Sequence, residues 1–251
     1  RQILMQAYPN AEIEEIEGNL AVTAGTCAVM GTASTMACIA ETLGMALPGT
    51  AAIPAVHSAR LLAAEASGRA AMALARRPIT PRQLVTEKSV ENALRVLMAI
   101  GGSTNAVIHL TAIAGRAGVC VSLDRLNAIS DQTPVLVDLK PVGEGYMEDF
   151  FAAGGMGAVL RELKPLLHLD TIDLEGLTLE QRLAGPPDFV DRKVIRPLNA
   201  PVSPVGGLVA LTGSLAPGGA ILKRAAASES LFESEGRAVV FENLEDLAAR
   251  I

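Results

Sequence analysis

The sequence lacks tryptophan and holds two tyrosines and five phenylalanines among 251 residues, so aromatic rings make up only 3% of it. Its core must be built from Ala, Val, Leu, Ile and Met, whose small side chains favour close helix–sheet packing. Cysteine is nearly as scarce: Cys27, Cys38 and Cys120 stand far apart, with no CxxC pair. An odd, sparse set of this kind is not the disulfide framework of a secreted domain, and a reducing cytoplasm is the expected compartment. There is no run of basic residues, and the net charge is −6. That balance argues against nucleic acid and against anionic membrane surfaces as partners. No segment reaches the roughly 18 uninterrupted apolar residues of a membrane span, and the N-terminus has no charged-then-apolar-then-small signal pattern.

Half of the residues are hydrophobic, enough for one or two domains with a substantial core. Both ends look cut. RQILMQAY at the start reads as the tail of a helix, and ENLEDLAARI at the end reads as a helix capped by Asn243. The chain is therefore expected to be an internal piece of a longer protein.

The organising stretch runs from Ala24 to Pro54, AGTCAVMGTASTMACIAETLGMALPGTAAIP. Gly25 and Gly31 bracket Cys27, so the backbone there can take positive φ or approach a bulky group. Thr32 or Ser34 is the expected cap of the following helix, with Met36, Ile39, Ala40 and Leu43 as its buried stripe. Gly44 is placed to end it, and Pro48-Gly49 is a hard stop. Cys27 is open to two readings. One is a buried, inert thiol. The other is a metal ligand or nucleophile in the positive potential ahead of a helix N-terminus. Cys38, on the helix, and Cys120, in an apolar VCV run, read as packing residues.

Residues 10–20 (NAEIEEIEGNL) read as a solvated acidic helix and turn. Ser58 to Ala75 is an Ala-rich helix with Leu61, Leu62, Met72 and Leu74, ended by Arg76-Arg77-Pro78. Glu87 to Ile100 is the clearest helix, with Val90, Ala93, Leu94, Leu97 and Met98 on one apolar face. A Gly101-Gly102 turn and a further helix follow in GGSTNAVIHL. Ser103, Thr104 and Asn105 offer short polar groups and free amides at that helix's N-terminus, either as ordinary caps or as a carboxylate-binding subsite. His109 reads as a hydrogen-bonded helix histidine rather than a proton shuttle. Val119–Leu123 and Val135–Leu139 are expected to be buried strands flanking a helix from Asp124 to Ile129, a unit of a parallel α/β layer. Glu148 and Asp149 are neighbours on a short helix and point apart, so they read as structural rather than as a shared metal site. Five prolines in residues 185–207 mark a boundary. Beyond it, LVALTG, AILK and AVVF read as a small antiparallel β domain.

GTCxxMGTASTM followed by AExLGMxLPGxAAIPA resembles the signature of the dihydroxy-acid and sugar-acid dehydratase family. GGSTNAxxHL, YMEDFFAAGG, GLVALTGSLAPGGAILK and EGRAVVFENLEDLAARI resemble further blocks of the same family, in its order. Ser214 stands where members usually carry Asn. The resemblance implies an α/β fold: the C-terminal part of a cluster-binding domain over 1–190, then the beginning of a β-barrel domain over 191–251. It implies that Cys27 is one of three cysteines holding an iron–sulfur cluster, [2Fe–2S] rather than [4Fe–4S]. Magnesium is implied as a second Lewis acid. The activity implied is a hydro-lyase that converts a polyhydroxy acid to its 2-keto-3-deoxy acid in a cytoplasmic homodimer or homotetramer. CDK, PGMPE and FSG, the family's blocks for the remaining ligands and the serine base, do not occur here. No catalytic residue is therefore assigned within the chain. The wording MGTASTM, where the branched-chain branch more often reads MYTANTM, favours an aldonate such as arabinonate or xylonate. A dihydroxy acid of branched-chain amino-acid synthesis is the alternative, and a non-catalytic α/β domain kept for subunit association is a further one.

Overall fold

A computed structural model describes residues 9–19, 24–185 and 189–251. The helix read from RQILMQAY lies outside the described residues. The helices are α1 (Asn10–Asn19), α2 (Thr32–Thr42), α3 (Ala59–Arg76), α4 (Pro81–Leu84), α5 (Glu87–Ala99) and α6 (Asn105–Ala117). They continue with α7 (Leu123–Gln132), α8 (Met147–Ala152), α9 (Gly155–Glu162), α10 (Leu179–Arg182) and α11 (Leu244–Arg250). Strands β1 (Val209–Leu211) and β2 (Ala220–Leu222) pair antiparallel, with Ala210 opposite Ile221.

The molecule is built around α5. Val90, Ala93, Leu94, Leu97 and Met98 are fully buried, as its apolar spacing predicts, but so are Asn92 and Ser89 on other faces. The helix is therefore enclosed on nearly all sides rather than along one stripe. It starts at a capping box: Ser89 N donates to Thr86 Oγ1 (3.2 Å) and Thr86 N donates to Ser89 Oγ (2.9 Å). Enclosure obliges Asn92 to find partners. Its Nδ2 donates to His168 O at 2.9 Å, and its Oδ1 accepts from His168 N at 2.8 Å.

The end of α5 collects the extended segments. Leu136 N donates to Ala99 O (2.8 Å) and Gly207 N to Met98 O (3.2 Å). These carbonyls lie in the last turn, which lacks regular i+4 donors, and Met98 O also accepts from Gly101 N at 3.3 Å. Val135–Leu139 is buried as expected, yet it is no regular strand. It makes single bridges to Ser203, Ile195 and Gly145, the first two antiparallel. Residues 119–122 are not a strand either, and α7 begins directly at Leu123 after its cap Ser122, whose Oγ accepts from Arg125 N. The expected parallel layer is thus replaced by helices with one small hairpin. Residues 238–241 (AVVF) carry no strand, and Val239 and Val240 are exposed. An extended run without a neighbour to share its amides has nothing to hold it as a strand. The hairpin that does form leans on α7 through Asn127. That side chain bonds both backbone groups of Ala210, at 2.7 and 2.9 Å.

Helix α2 ends as its glycine predicts. Gly44 has φ +73°, and Met45 N donates to Ala40 O while Gly44 N donates to Glu41 O. This is the paired bond pattern of a Schellman stop. Its start differs from expectation: Gly31 is the N-cap residue and Thr32 the first helical one, with no side-chain cap bond. Its buried face is also rotated, with Ser34, Thr35, Cys38, Ile39, Glu41 and Thr42 inside and Met36 and Ala40 only half-buried. Glu41 folds the LPGTA turn onto the helix end by accepting from Gly49 N (2.8 Å) and Ala51 N (3.0 Å). Burial raises the Glu41 carboxyl above the usual carboxylate range, against the lowering effect of those amides.

A raised carboxyl means that the folded state holds the proton more tightly than the unfolded chain does. The Glu41 contribution to stability is therefore greatest in acid and is lost as pH rises through its folded value. Glu41→Gln replaces one acceptor at a cost that does not vary with pH. The urea midpoint of the variant should accordingly gain on the wild type between acid and neutral pH. Parallel pH profiles for the two proteins would show that the carboxyl is not perturbed.

Candidate functional site

The loop carrying Cys27 is held from outside itself. Met30 N donates to Lys140 O (2.9 Å) and Met147 N donates to Ala28 O (2.7 Å), which hangs residues 28–30 on the segment leading into α8. Met30 is buried beneath it, and Gly25, at φ +118°, lies so close to Ala55 that a Cβ would meet it at 2.6 Å. Cys27 itself is exposed. Among the described residues its Sγ has only a weak contact, 4.0 Å, with Val29 O. A Cβ on Gly31 would lie 2.9 Å from that sulfur, so glycine at 31 leaves the thiol its space.

The N-termini of α2 and α6 meet beside this loop. Thr32 Oγ1 lies 2.9 Å from Ser103 Oγ and accepts from Asn105 Nδ2 at 3.2 Å. Ser103 N donates to Thr35 Oγ1 (3.1 Å), and Asn105 N donates to Ser103 Oγ (3.2 Å). The approach is possible because position 102 has no side chain: a Cβ there would strike Leu97 Cδ1 at 2.6 Å and Thr35 Cγ2 at 2.8 Å. Ser103, Thr104 and Asn105 are thus brought next to the cysteine helix. The side chains of Ser103 and Asn105 are engaged by Thr32, and Thr104 is the N-cap residue of α6 without a side-chain cap bond. Thr32 as the hub was not visible in the sequence, where it read only as a cap. A second pairing the sequence did not announce is Lys140 with Tyr146. The ammonium lies 3.0 Å from the phenol oxygen and 4.6 Å from the ring centroid. The hydrogen bond to Tyr146 holds the Lys140 ammonium above its ordinary range.

The other sequence candidates separate from this junction. Cys38 is buried, and burial together with the neighbouring Glu41 pushes its thiol up, as suits a packing residue. Cys120 was expected to pack but is exposed, because the VCV run is a loop whose Val119 turns inward instead. His109 stands exposed on α6, without the hydrogen bond expected of it. Glu148 is exposed, while Asp149 Oδ2 accepts from Tyr146 N (2.8 Å) and caps α8, a structural duty. Among the described residues no three His, Cys, Asp or Glu side chains come together to hold a metal ion. At this junction Cys27 offers one exposed thiol, the donor chemistry of a single thiolate ligand.

Comparison with known proteins agrees with this arrangement of blocks. Residues 1–182 match the family model for the dihydroxy-acid/6-phosphogluconate dehydratase N-terminal region. Residues 193–251 match the model for the C-terminal region of the same family. A dihydroxy-acid dehydratase from Caldicellulosiruptor bescii is 42% identical over 248 residues, covering 96% of this chain and 45% of the relative. One from Methanoregula boonei is 45% identical over 240 residues, covering 95% and 43%. One from Dehalococcoides mccartyi is 43% identical over 249 residues, covering 99% and 44%. The chain thus spans a little under half the length of these relatives.

Thr32→Val removes the shared hydroxyl while keeping the side chain's shape. It should lower stability by about 1 kcal/mol and speed amide exchange at Asn105, Ala106 and Val107. Thr32→Ser should restore both. Unchanged exchange at these amides in the valine variant would show that Thr32 does not tie the two helix ends.

Proposed function

Because the chain belongs to the dihydroxy-acid/6-phosphogluconate dehydratase family, we propose that the protein containing it is a hydro-lyase acting on a 2,3-dihydroxy carboxylic acid. The reaction removes the proton from C2 and hydroxide from C3, and the resulting enol becomes the 2-keto acid. The C2 proton is weakly acidic beside a carboxylate, and hydroxide is a poor leaving group, so a base and Lewis acids are needed. An iron–sulfur cluster, which Cys27 would help to hold, would supply Lewis-acid chemistry for the departure of the C3 hydroxide. The observation that carries the reading is the exposed Cys27 thiol, free of strong partners and hung on a pinned loop.

The residues of this chain have a positioning part in that scheme. Cys27 would hold the cluster, Gly31 keeps its sulfur clear, and the bonds to Lys140 and Met147 fix the loop against the core. The Thr32–Ser103–Asn105 junction sets two helix N-termini beside it, where positive potential suits a carboxylate substrate. The base, the magnesium ligands and the other two cluster cysteines come from the half of the protein outside this chain. In the same reading the intact protein is a cytoplasmic homodimer or homotetramer. No described helix is long and apolar enough to cross a membrane.

The relatives' name, dihydroxy-acid dehydratase, supports the branched dihydroxy acid over the sugar acid that the MGTASTM wording favoured. An aldonate site must pair three or four hydroxyls, whereas 2,3-dihydroxyisovalerate presents methyl groups in their place.

Two measurements on the full-length protein test this reading. Cys27→Ser should lose most cluster absorbance, iron and sulfide, since oxygen replaces thiolate poorly on iron, while Cys120→Ser keeps them. A Cys27→Ser protein with full iron and sulfide would remove the ligand assignment. Anaerobic release of 2-keto acid should show a kcat/KM for 2,3-dihydroxyisovalerate at least about tenfold above that for a pentonate or hexonate. The reverse preference would return the protein to the sugar-acid branch.

A further inference from the structure

Helix α3 is 18 residues long, about 27 Å, and none of its residues is buried. Its two sides are both apolar. Ala59, Ala63, Ala66, Ala70 and Leu74 are half-buried and share one face by their three- and four-residue spacing. Leu61, Ala64, Gly68, Met72 and Ala75 recur with the same period on the opposite face and are all exposed. Leu61 is 76% exposed and Met72 61%. A narrow charged strip, with Glu65 and Arg69 paired to each other and Arg76 nearby, separates the two. A surface helix needs one apolar stripe; a helix with two is built to lie between layers. The N-terminal end is anchored, since the Arg60 guanidinium donates back to the carbonyls of Thr50 and Ile53. Val56, just ahead of the helix, is also 64% exposed.

We propose that the outer face of α3, from Leu61 to Ala75, is covered in the intact protein by polypeptide of the same molecule outside residues 1–251. The relatives that match nearly all of this chain are more than twice its matched length, so enough chain exists to form that second layer. Covering from within the molecule also carries a lower entropic cost than recruiting a separate one, because a tethered segment acts at a high effective concentration. The small residues Ala64, Gly68 and Ala75 allow close approach, and Leu61 and Met72 provide the apolar area to be buried. The proposal uses the length of the relatives and not the reaction, so it stands or falls separately from the dehydratase reading.

The test uses the full-length protein carrying Met72→Cys and, separately, Leu61→Cys. Iodoacetamide labelling of each new thiol is followed by peptide-resolved mass spectrometry, with the same protein in denaturant as reference. Native labelling should be at least about tenfold slower than denatured, and equally slow when the protein is diluted to a monomer. Labelling as fast as in denaturant would mean that the face is open. Protection that disappears on dilution would assign the face to a second copy. Either result overturns the proposal.

Discussion

A helix enclosed on nearly all sides cannot leave its last carbonyls to water, and this constraint on α5 organises the chain. Met98 O and Ala99 O are met by protein donors: Gly207 N joins Gly101 N on the first, and Leu136 N and Val137 N share the second. Those two segments are thereby fixed against one helix end. Val135 then bonds Ser203 and Val202, and Leu136 takes the Arg196 amide on its carbonyl. The irregular part of the molecule is thus ordered by hydrogen-bond demand at a buried terminus rather than by sheet formation.

The same helix end controls the candidate site. Gly101 and Gly102 follow directly from α5, and the turn they make places Ser103 against Thr35 and Thr32. The loop of Cys27 hangs on residues 140 and 147, beyond the extended segment that α5 also anchors. Three blocks far apart in sequence therefore converge because each is tied to one core element. Exposure of Cys27 and rigidity of its surroundings are compatible for this reason: the loop's backbone is held while its side chain is left free.

What could be read from the sequence follows from how local each signal is. The α5 face, the Gly44 stop and the Asn243 cap of α11, whose side chain accepts from Asp246 N, all depend on residues within one or two turns. They stand as expected. The strands did not, because the burial of Val135–Leu139 and the pairing of a strand are separate facts. Its two antiparallel partners lie some sixty residues on, at Ile195 and Ser203, and no local pattern encodes whether they continue as a ladder. Residues 119–122 and 238–241 are β-branched in composition but lack strand partners among the described residues. Thr32 was misplaced for a related reason. A threonine at a helix start reads as a cap, and only the tertiary approach of α6 makes it a link between two helices.

The outer face of α3 and the chain beyond β2 share a property that the core does not. On α5, every residue of the apolar face is buried. On α3 and at Leu215, Leu231, Val239, Val240 and Leu244, apolar side chains face outward. Scattered exposed leucines are ordinary on a protein surface, but a periodic apolar face opposite another apolar face is not. Such a face has the pattern of a buried element without its burial. Pattern and burial normally arise from one cause, the packing of a second layer. On α3 the pattern is present and the second layer is absent among the described residues.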